Sequence, residues 1–410
     1  MLQKIDIGTQ SLDAYRHLVD EALLEEVRSL GEKLRGARLL HVNATPYGGG
    51  VSELLRSLVP VARAAGLDAE WKVIFGEVPF YQVTKGFHNA LQGAELELTE
   101  NARDIYLLYN RRNAEDLEDG YDFIIAHDPQ TAAMRAFSKN VGAKWVWRCH
   151  IDTSEPNREV WGFLRPYVAA HDAAVFTMQQ FTPPGLEGIE LYTIRPAIDP
   201  LSPKNMSLPP HVARSVLGWI GVDLNRPLIL QVSRFDPWKD PLGVIEVYRL
   251  VRKEIPQVQL ALVGSMALDD PEGWEIYRDI EAAAREDMQL FVFTNLVGVG
   301  NIEVNAFQQL ADVVIQKSVR EGFGLVVSET LWKRTPVVAG RAGGIPLQLQ
   351  DGVSGYLVSS TEECAARTLE LLGNGDLALH MGAAGHEHVR RNFLLPRLLR
   401  DELELLAELA

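Results

Sequence analysis

Lys317-Ser-Val-Arg-Glu321-Gly-Phe-Gly324-Leu-Val-Val-Ser-Glu329-Thr, followed by Arg341-Ala-Gly-Gly-Ile345, is the stretch whose reading decides the fold. Immediately before it, residues 311–315 (Ala-Asp-Val-Val-Ile) are a β-branched run with no helical period, the pattern of a short buried strand. A helix is expected over residues 325–333, stopped ahead of Pro336, which a helix interior does not accept. Gly322 and Gly324 stand where strand gives way to helix. There they let backbone N–H groups approach a ligand, and the helix N-terminus that follows favours an anion. Glu321 lies before the glycines and Glu329 one turn into the helix. A phosphate between them leaves each carboxylate to accept hydrogen bonds from hydroxyls at opposite ends of a long ligand, in the order sugar, diphosphate, ribose. For either glutamate alone, a loop charge or a solvated helix face is the stronger reading, because short motifs are weak.

Working outward, the same strand-turn-helix grammar recurs. Residues 38–43 (Arg-Leu-Leu-His-Val-Asn) form the first credible core strand and run into Gly48-Gly49-Gly50 and an apolar helix. This is no dinucleotide fingerprint, because Glu53 occupies the last glycine position, and no Gly-Lys-Ser/Thr marks a Walker loop. Further strands are expected at residues 69–75, 123–126, 144–148 and 173–177, then from Pro227 to Ser233, at 257–264 and at 290–293. Their alternation with helices predicts parallel sheets. Residues 13–34 read as one amphipathic surface helix and residues 397–409 as another. Ligands bind beyond the carboxyl ends of parallel strands. That rule brings forward Asp128, after one strand, and His150 and Asp152, after another, although a hydrogen-bonded core histidine is as good a reading of His150 on pattern alone. Arg234 and Lys239, two cations at one strand end across a proline turn, suit a diphosphate leaving group; a pair of surface salt bridges is the blander alternative.

The chain has 410 residues, 47% hydrophobic and 23% charged, as in soluble enzymes of two or three domains. Its net charge of −15 argues against nucleic-acid binding and against a polybasic membrane anchor. Cys149 and Cys364 cannot build a disulfide framework, and no signal-peptide core or membrane-length apolar span occurs, so a cytoplasmic protein is expected. No Asp-x-Asp pair occurs anywhere, so a metal-bridged donor is not expected: metal none, cofactors none required.

The buried strand, Glu-Gly-Phe-Gly-Leu, the second glutamate eight residues on, Pro336-Val-Val-Ala-Gly340 and Gly343-Gly-Ile-Pro346 together resemble the carboxy-terminal half of the family 4 retaining glycosyltransferases. Pro46-Tyr-Gly-Gly-Gly-Val-Ser-Glu-Leu-Leu55, Trp147-Arg-Cys-His-Ile-Asp152, Ser233-Arg-Phe-Asp-Pro-Trp-Lys239, Asp269-Asp-Pro-Glu-Gly-Trp274 and Glu303-Val-Asn-Ala-Phe-Gln308 narrow the resemblance to the trehalose glycosyltransferring synthases. Lys317 departs from the pattern, where an uncharged residue is expected.

The resemblance implies an α/β fold of GT-B type, with two Rossmann-like doubly wound domains facing each other across a cleft. Residues 1–205 would form the acceptor-side domain, 206–390 the nucleotide-sugar domain, and 391–410 a helix that crosses back. It implies a cytoplasmic hexosyltransferase joining glucose from a nucleoside-diphosphate glucose to free glucose, reversibly, as α,α-trehalose. Front-face attack assisted by the departing phosphate is the mechanism usual to the family. The catalytic group would be His150, Arg234, Lys239 and Glu321. Donor binding would fall to Gly49, Gly50, Asn295, Val297, Gly322, Phe323, Gly324, Leu325 and Glu329, and acceptor binding to Asp128 and Asp152. The partners are then the nucleotide sugar and glucose or trehalose, with no nucleic acid and no membrane, and a homodimer left open. Rival readings are a sucrose- or α-glucan-forming transferase, a trehalose phosphorylase on the same scaffold, and a nucleotide-sugar-binding regulator without catalysis. A complete set of His150, Arg234, Lys239, Glu321 and Glu329 argues against the last.

Overall fold

A computed structural model describes residues 2–47, 49–266 and 271–410. Gly48 and the Asp269-Asp270 part of the 269–274 phrase lie outside the described residues. The chain divides into two compact units, Met1–Ala197 with Leu395–Ala410, and Ile198–Leu394.

The first unit holds β1 (Gln3–Lys4), β2 (Arg38–Asn43), β3 (Asp68–Val73), β4 (Phe123–His127), β5 (Lys144–Arg148), β6 (Ala173–Phe176) and β7 (Glu190–Thr193). Their order is β1-β3-β2-β4-β5-β6-β7, parallel except for the short edge strand β1. The second unit holds β8 (Leu228–Arg234), β9 (Gln259–Ser265), β10 (Leu290–Thr294), β11 (Val313–Gln316), β12 (Val337–Gly340) and β13 (Tyr356–Val358), all parallel, ordered β10-β9-β8-β11-β12-β13. Helices cover the sheets, so central strands are buried on both faces and read as continuous apolar runs: Val313, Val314 and Ile315 are each 0% exposed. In both orders the chain winds outward from one strand and then returns to its other side. The switch points lie between β2 and β4 and between β8 and β11, where this architecture opens a crevice at the carboxyl ends.

Three expectations shift. The expected helix over residues 13–34 is a 3-10 turn, Leu12–Tyr15, and a separate helix, Glu21–Lys33. Ser11 caps the turn and extended Asp20 opens the helix, while Leu12, Tyr15 and Val19 turn inward on a path of their own. The division between units falls after Ala197, not after 205, because the proline-rich segment is bound to the second unit. Asn305 Nδ2 donates to the carbonyls of Pro203 (3.0 Å) and Met206 (2.8 Å), Gln309 Nε2 to that of Leu208 (3.1 Å), and Trp332 Nε1 to that of Asn205 (3.2 Å). Residues 391–394 stay with the second unit as well, through the parallel bridge of Ile198 to Leu394.

The C-terminal helix, Leu395–Leu409, packs on the Glu21–Lys33 helix and on the helix Gly50–Ala64, and so completes the first unit. It buries Leu395, Leu398, Leu399, Leu403, Leu405 and Leu406, each worth about 1.5–3 kcal/mol of transfer free energy. It also buries Glu402, at 1% exposure, which only a paired charge tolerates.

Candidate active site

In the second unit, the turn after β8 and the loop after β11 meet at the switch point. Val319 N–H donates to the Trp238 carbonyl (2.9 Å), joining the two loops. Gln231 Nε2 holds the Lys239 carbonyl at 2.8 Å and so fixes the turn. Across that junction Lys239 Nζ is hydrogen-bonded to Glu321 Oε2, which also accepts from Ser318 Oγ at 3.3 Å. Two residues 82 positions apart in sequence thus form one ion pair, largely buried. Arg234 is more open and pairs with Asp236 at 3.2 Å. Lys317, the departure from the family pattern, pairs with Asp240. Asp240 has a left-handed backbone (φ 51°) and caps the helix Pro241–Glu254, so Lys317 neutralises a local cap.

Gly324 is the N-cap of the helix Leu325–Trp332 with φ 81°, a conformation only glycine adopts freely, and no side chain caps that helix. The first-turn amides therefore have the orientation that favours an anion. The Glu321–Gly324 loop is braced from behind. Gly344 N–H donates to the Gly322 carbonyl (3.1 Å), Gln348 Nε2 to the Phe323 carbonyl, and Gln348 Oε1 accepts from Ser328 Oγ (2.6 Å). A Cβ on Gly343 would lie 1.6 Å from the Glu321 carbonyl oxygen, at φ 49°. Gly343→Ala is expected to destabilise the fold by about 2–5 kcal/mol, from backbone strain plus overpacking. Denaturant unfolding checks this, and an unchanged midpoint would mean that the loop is not held there.

Glu329 is buried, 2% exposed, with Gln308 Nε2 at 3.2 Å and Lys204 Nζ at 3.5 Å. Lys333, beside it, donates to the Glu329 carbonyl (3.0 Å) and Asn205 Oδ1 (3.1 Å), and burial pushes its ammonium down to about 7. Asn295, just after β10, spends its amide on Met266, accepting from N–H at 2.7 Å and donating to the carbonyl at 3.1 Å. Val297 is exposed nearby.

In the first unit, Asp128 follows β4 with φ 61°, a left-handed setting uncommon outside glycine. Its Oδ1 accepts from the His150 N–H at 2.8 Å, and burial pushes its carboxyl up to about 7, so its proton is exchangeable near neutrality. Asp152 Oδ1 accepts from Ser154 N–H (3.0 Å) and Oγ (2.6 Å), making a local turn. Gly49 precedes the helix Gly50–Ala64 with φ −162°, open to any residue, and a Cβ there would meet nothing within 4 Å. The fold makes no steric demand for glycine at that position.

Residues 41–183 match the family described as "Trehalose synthase, N-terminal domain", and residues 220–388 match "Glycosyl transferases group 1". A trehalose synthase of Rubrobacter xylanophilus is 56% identical, over 100% of this chain and 99% of that protein. The chain belongs to the trehalose synthase family. It is a glycosyltransferase of trehalose chemistry. A trehalose phosphorylase of Pleurotus pulmonarius is 30% identical across 85% of this chain, and the match spans 54% of that longer protein. Among solved structures, sucrose-phosphate synthase from Thermosynechococcus elongatus superposes with a TM-score of 0.70 at 17% identity, covering 91% of this chain and 99% of that one. That likeness gives the fold, GT-B type with two Rossmann-like domains.

Within this trehalose synthase family chain, several polar groups escaped the sequence reading. His127 donates to or accepts from His150 at 2.9 Å, and from His41 at 3.1 Å. Arg148 and Glu402 pair at 2.9 Å in the core of the first unit. The available signal was histidines near the carboxyl ends of consecutive sheet neighbours β2, β4 and β5. It becomes visible only once the strand order is known.

Proposed function

We propose that the protein transfers glucose, with retained configuration, from a nucleoside-diphosphate glucose to free glucose, giving α,α-trehalose and, in reverse, cleaving it. The observation that carries this reading is the Lys239–Glu321 pair beside the uncapped helix start at Gly324, at the β8/β11 switch point. A diphosphate leaving as an anion needs such positive surroundings, and fixed donors act best on charge that grows during reaction. Lys239, Arg234 and the amides after Gly324 bear that charge, with Gly322, Phe323 and Leu325 shaping the phosphate bed. Glu321 orients hydroxyls of the transferred glucose, Glu329 receives the ribose hydroxyls, and Asn295 and Val297 border the base.

The proposal gives His150 a hydroxyl of the donor sugar, and Asp128 and Asp152 the acceptor. Gly49 and Gly50 leave room for the donor, a role supported by the lack of any steric need for glycine at Gly49. Donor and product glucose are both α-linked, so the acceptor oxygen attacks from the side on which phosphate departs. That phosphate oxygen takes the acceptor's proton. The test is a panel of nucleoside-diphosphate sugars with free glucose, products separated by chromatography. Trehalose from at least one of them is expected; absence of transfer from every donor would end the proposal. The phosphorylase relative supplies the second reading, and trehalose cleavage by phosphate in place of nucleoside diphosphate would decide for it.

The chain has no Asp-x-Asp pair, and among the described residues no cluster of three or more His, Cys, Asp or Glu suits a metal ion. Activity in excess EDTA is therefore expected at nearly the full rate. Abolition by EDTA with rescue by magnesium or manganese would place a metal in the reaction.

A further inference from the structure

Three histidines, two on neighbouring strands β2 and β4 and one just after β5, form a continuous chain through the first unit. His41 Nδ1 lies 3.1 Å from His127 Nε2, and His127 Nδ1 lies 2.9 Å from His150 Nε2. The ring planes differ by 26° and 17°, with centroids 5.4 and 5.2 Å apart. Centroids that far apart with nitrogens about 3 Å apart put the rings edge to edge in nearly one plane, so each contact is a ring N–H donated to a ring lone pair. His41 and His127 are 0% and 1% exposed. Beyond His41, its Nε2 is 3.4 Å from Glu402 Oε1, a close approach outside hydrogen-bond geometry, and neither of these buried atoms has a hydrogen-bond partner among the described residues. The other oxygen of Glu402 accepts from Arg148 at 2.9 Å.

We propose that Glu402, on the C-terminal helix, is a positioning residue that sets the ring tautomer of His150 through His41 and His127. Two buried, otherwise unpartnered atoms face each other there, and a carboxylate only accepts, so the proposal puts the single His41 proton on Nε2 and leaves Nδ1 bare. His127 must then donate from Nε2 and leave its own Nδ1 bare, and His150 must donate from Nε2 in turn. His150 is left with Nδ1 as an acceptor for a ligand hydroxyl. Burial holds the rings of His127 and His150 well below the ordinary imidazole range, which keeps them neutral, and the Glu402 charge is already matched by Arg148. The tautomer assignment rests on the edge-to-edge rings and on the facing of His41 Nε2 and Glu402 Oε1, with neutral rings. Its consequence for turnover rests on the reading of His150 as a sugar contact.

Glu402→Gln tests this with an isosteric side chain. Arg148 offers only donors and so keeps the amide oxygen on its own side, which turns the amide NH2 toward His41 Nε2. Every donor and acceptor along the chain must then reverse. The measurement is long-range 1H–15N spectroscopy of the full chain labelled at histidine, at about pH 8.5, well above the ordinary imidazole range. Wild type should show His41, His127 and His150 all protonated on Nε2, and Glu402→Gln all three on Nδ1. Turnover should fall at least about tenfold, the equivalent of one lost hydrogen bond, with nucleoside-diphosphate affinity by calorimetry unchanged. A wild-type His150 protonated on Nδ1, a His41 protonated on both nitrogens, or a variant with wild-type tautomers would overturn the proposal. The wild-type spectrum alone decides if the variant fails to fold. Reversed tautomers with unchanged turnover would confirm the relay and remove His150 from the sugar site.

Discussion

Lys239→Ala is expected to lower turnover by about 10²–10³-fold while shifting the donor's Michaelis constant by only a few-fold. Removing one fixed donor from a developing anion has that order of effect. The phosphate nearest the glucose carries more charge as the glycosidic bond breaks, so a cation beside it is used more strongly in the transition state than in the bound donor. The structure adds a complication that the measurement can resolve. Lys239 is hydrogen-bonded to Glu321, and truncation leaves that largely buried carboxylate without its cation. An unpaired carboxylate beside a diphosphate repels it in the ground state too. The double variant Lys239→Ala/Glu321→Gln, compared with Glu321→Gln alone, removes the repulsion and isolates the part of the turnover loss that belongs to Lys239. A raised Michaelis constant with wild-type turnover in the single variant, and with the turnover of Glu321→Gln in the double, would restrict Lys239 to ground-state binding.

Glu321→Gln and Glu329→Gln are expected to fail in different ways. Glu321 stands at the loop with Lys239 and Ser318 around one oxygen, and the role proposed for it is to orient hydroxyls of the glucose being transferred. Loss of its charge should depress turnover by about 10²-fold and leave affinity for the free nucleoside diphosphate nearly intact, because that ligand lacks the sugar. Glu329 lies inside, with Gln308 and Lys204 each on one oxygen, so a ribose hydroxyl bound there, as proposed, would share a carboxylate that is already engaged. The amide removes the negative charge that Lys204 faces at 3.5 Å. Affinity for the diphosphate should therefore weaken by about tenfold or more, with turnover at saturation changed less. Titration calorimetry with the free diphosphate separates the two. Equal losses of affinity in both variants would end the assignment of the glutamates to opposite ends of the donor.

Much of this was legible locally. The sequence pattern fixes strand β5 to its ends at residues 144–148, the helix start at Leu325 and the glycine turn before it, because β-branched runs, glycine and proline act on their own backbone. It also places Arg234, Lys239, Glu321, Asp128 and His150 at strand ends, since strand alternation alone implies where parallel strands finish. Tertiary structure decided which of them meet. Lys239 reaches Glu321 only because β8 and β11, far apart in the chain, are neighbours in the sheet. His41, His127 and His150 line up only because β2, β4 and β5 are adjacent, and Glu402 joins them only because the last helix returns to the first unit. Residues 198–210, where prolines and polar residues replace the periodic pattern, read as an interdomain linker in sequence, yet carbonyls of that segment are held by Asn305, Gln309 and Trp332. Spacing and periodicity report the conformation of a few neighbouring residues, whereas an ion pair or a histidine relay depends on strand order and burial, which are set by the packing of the whole domain.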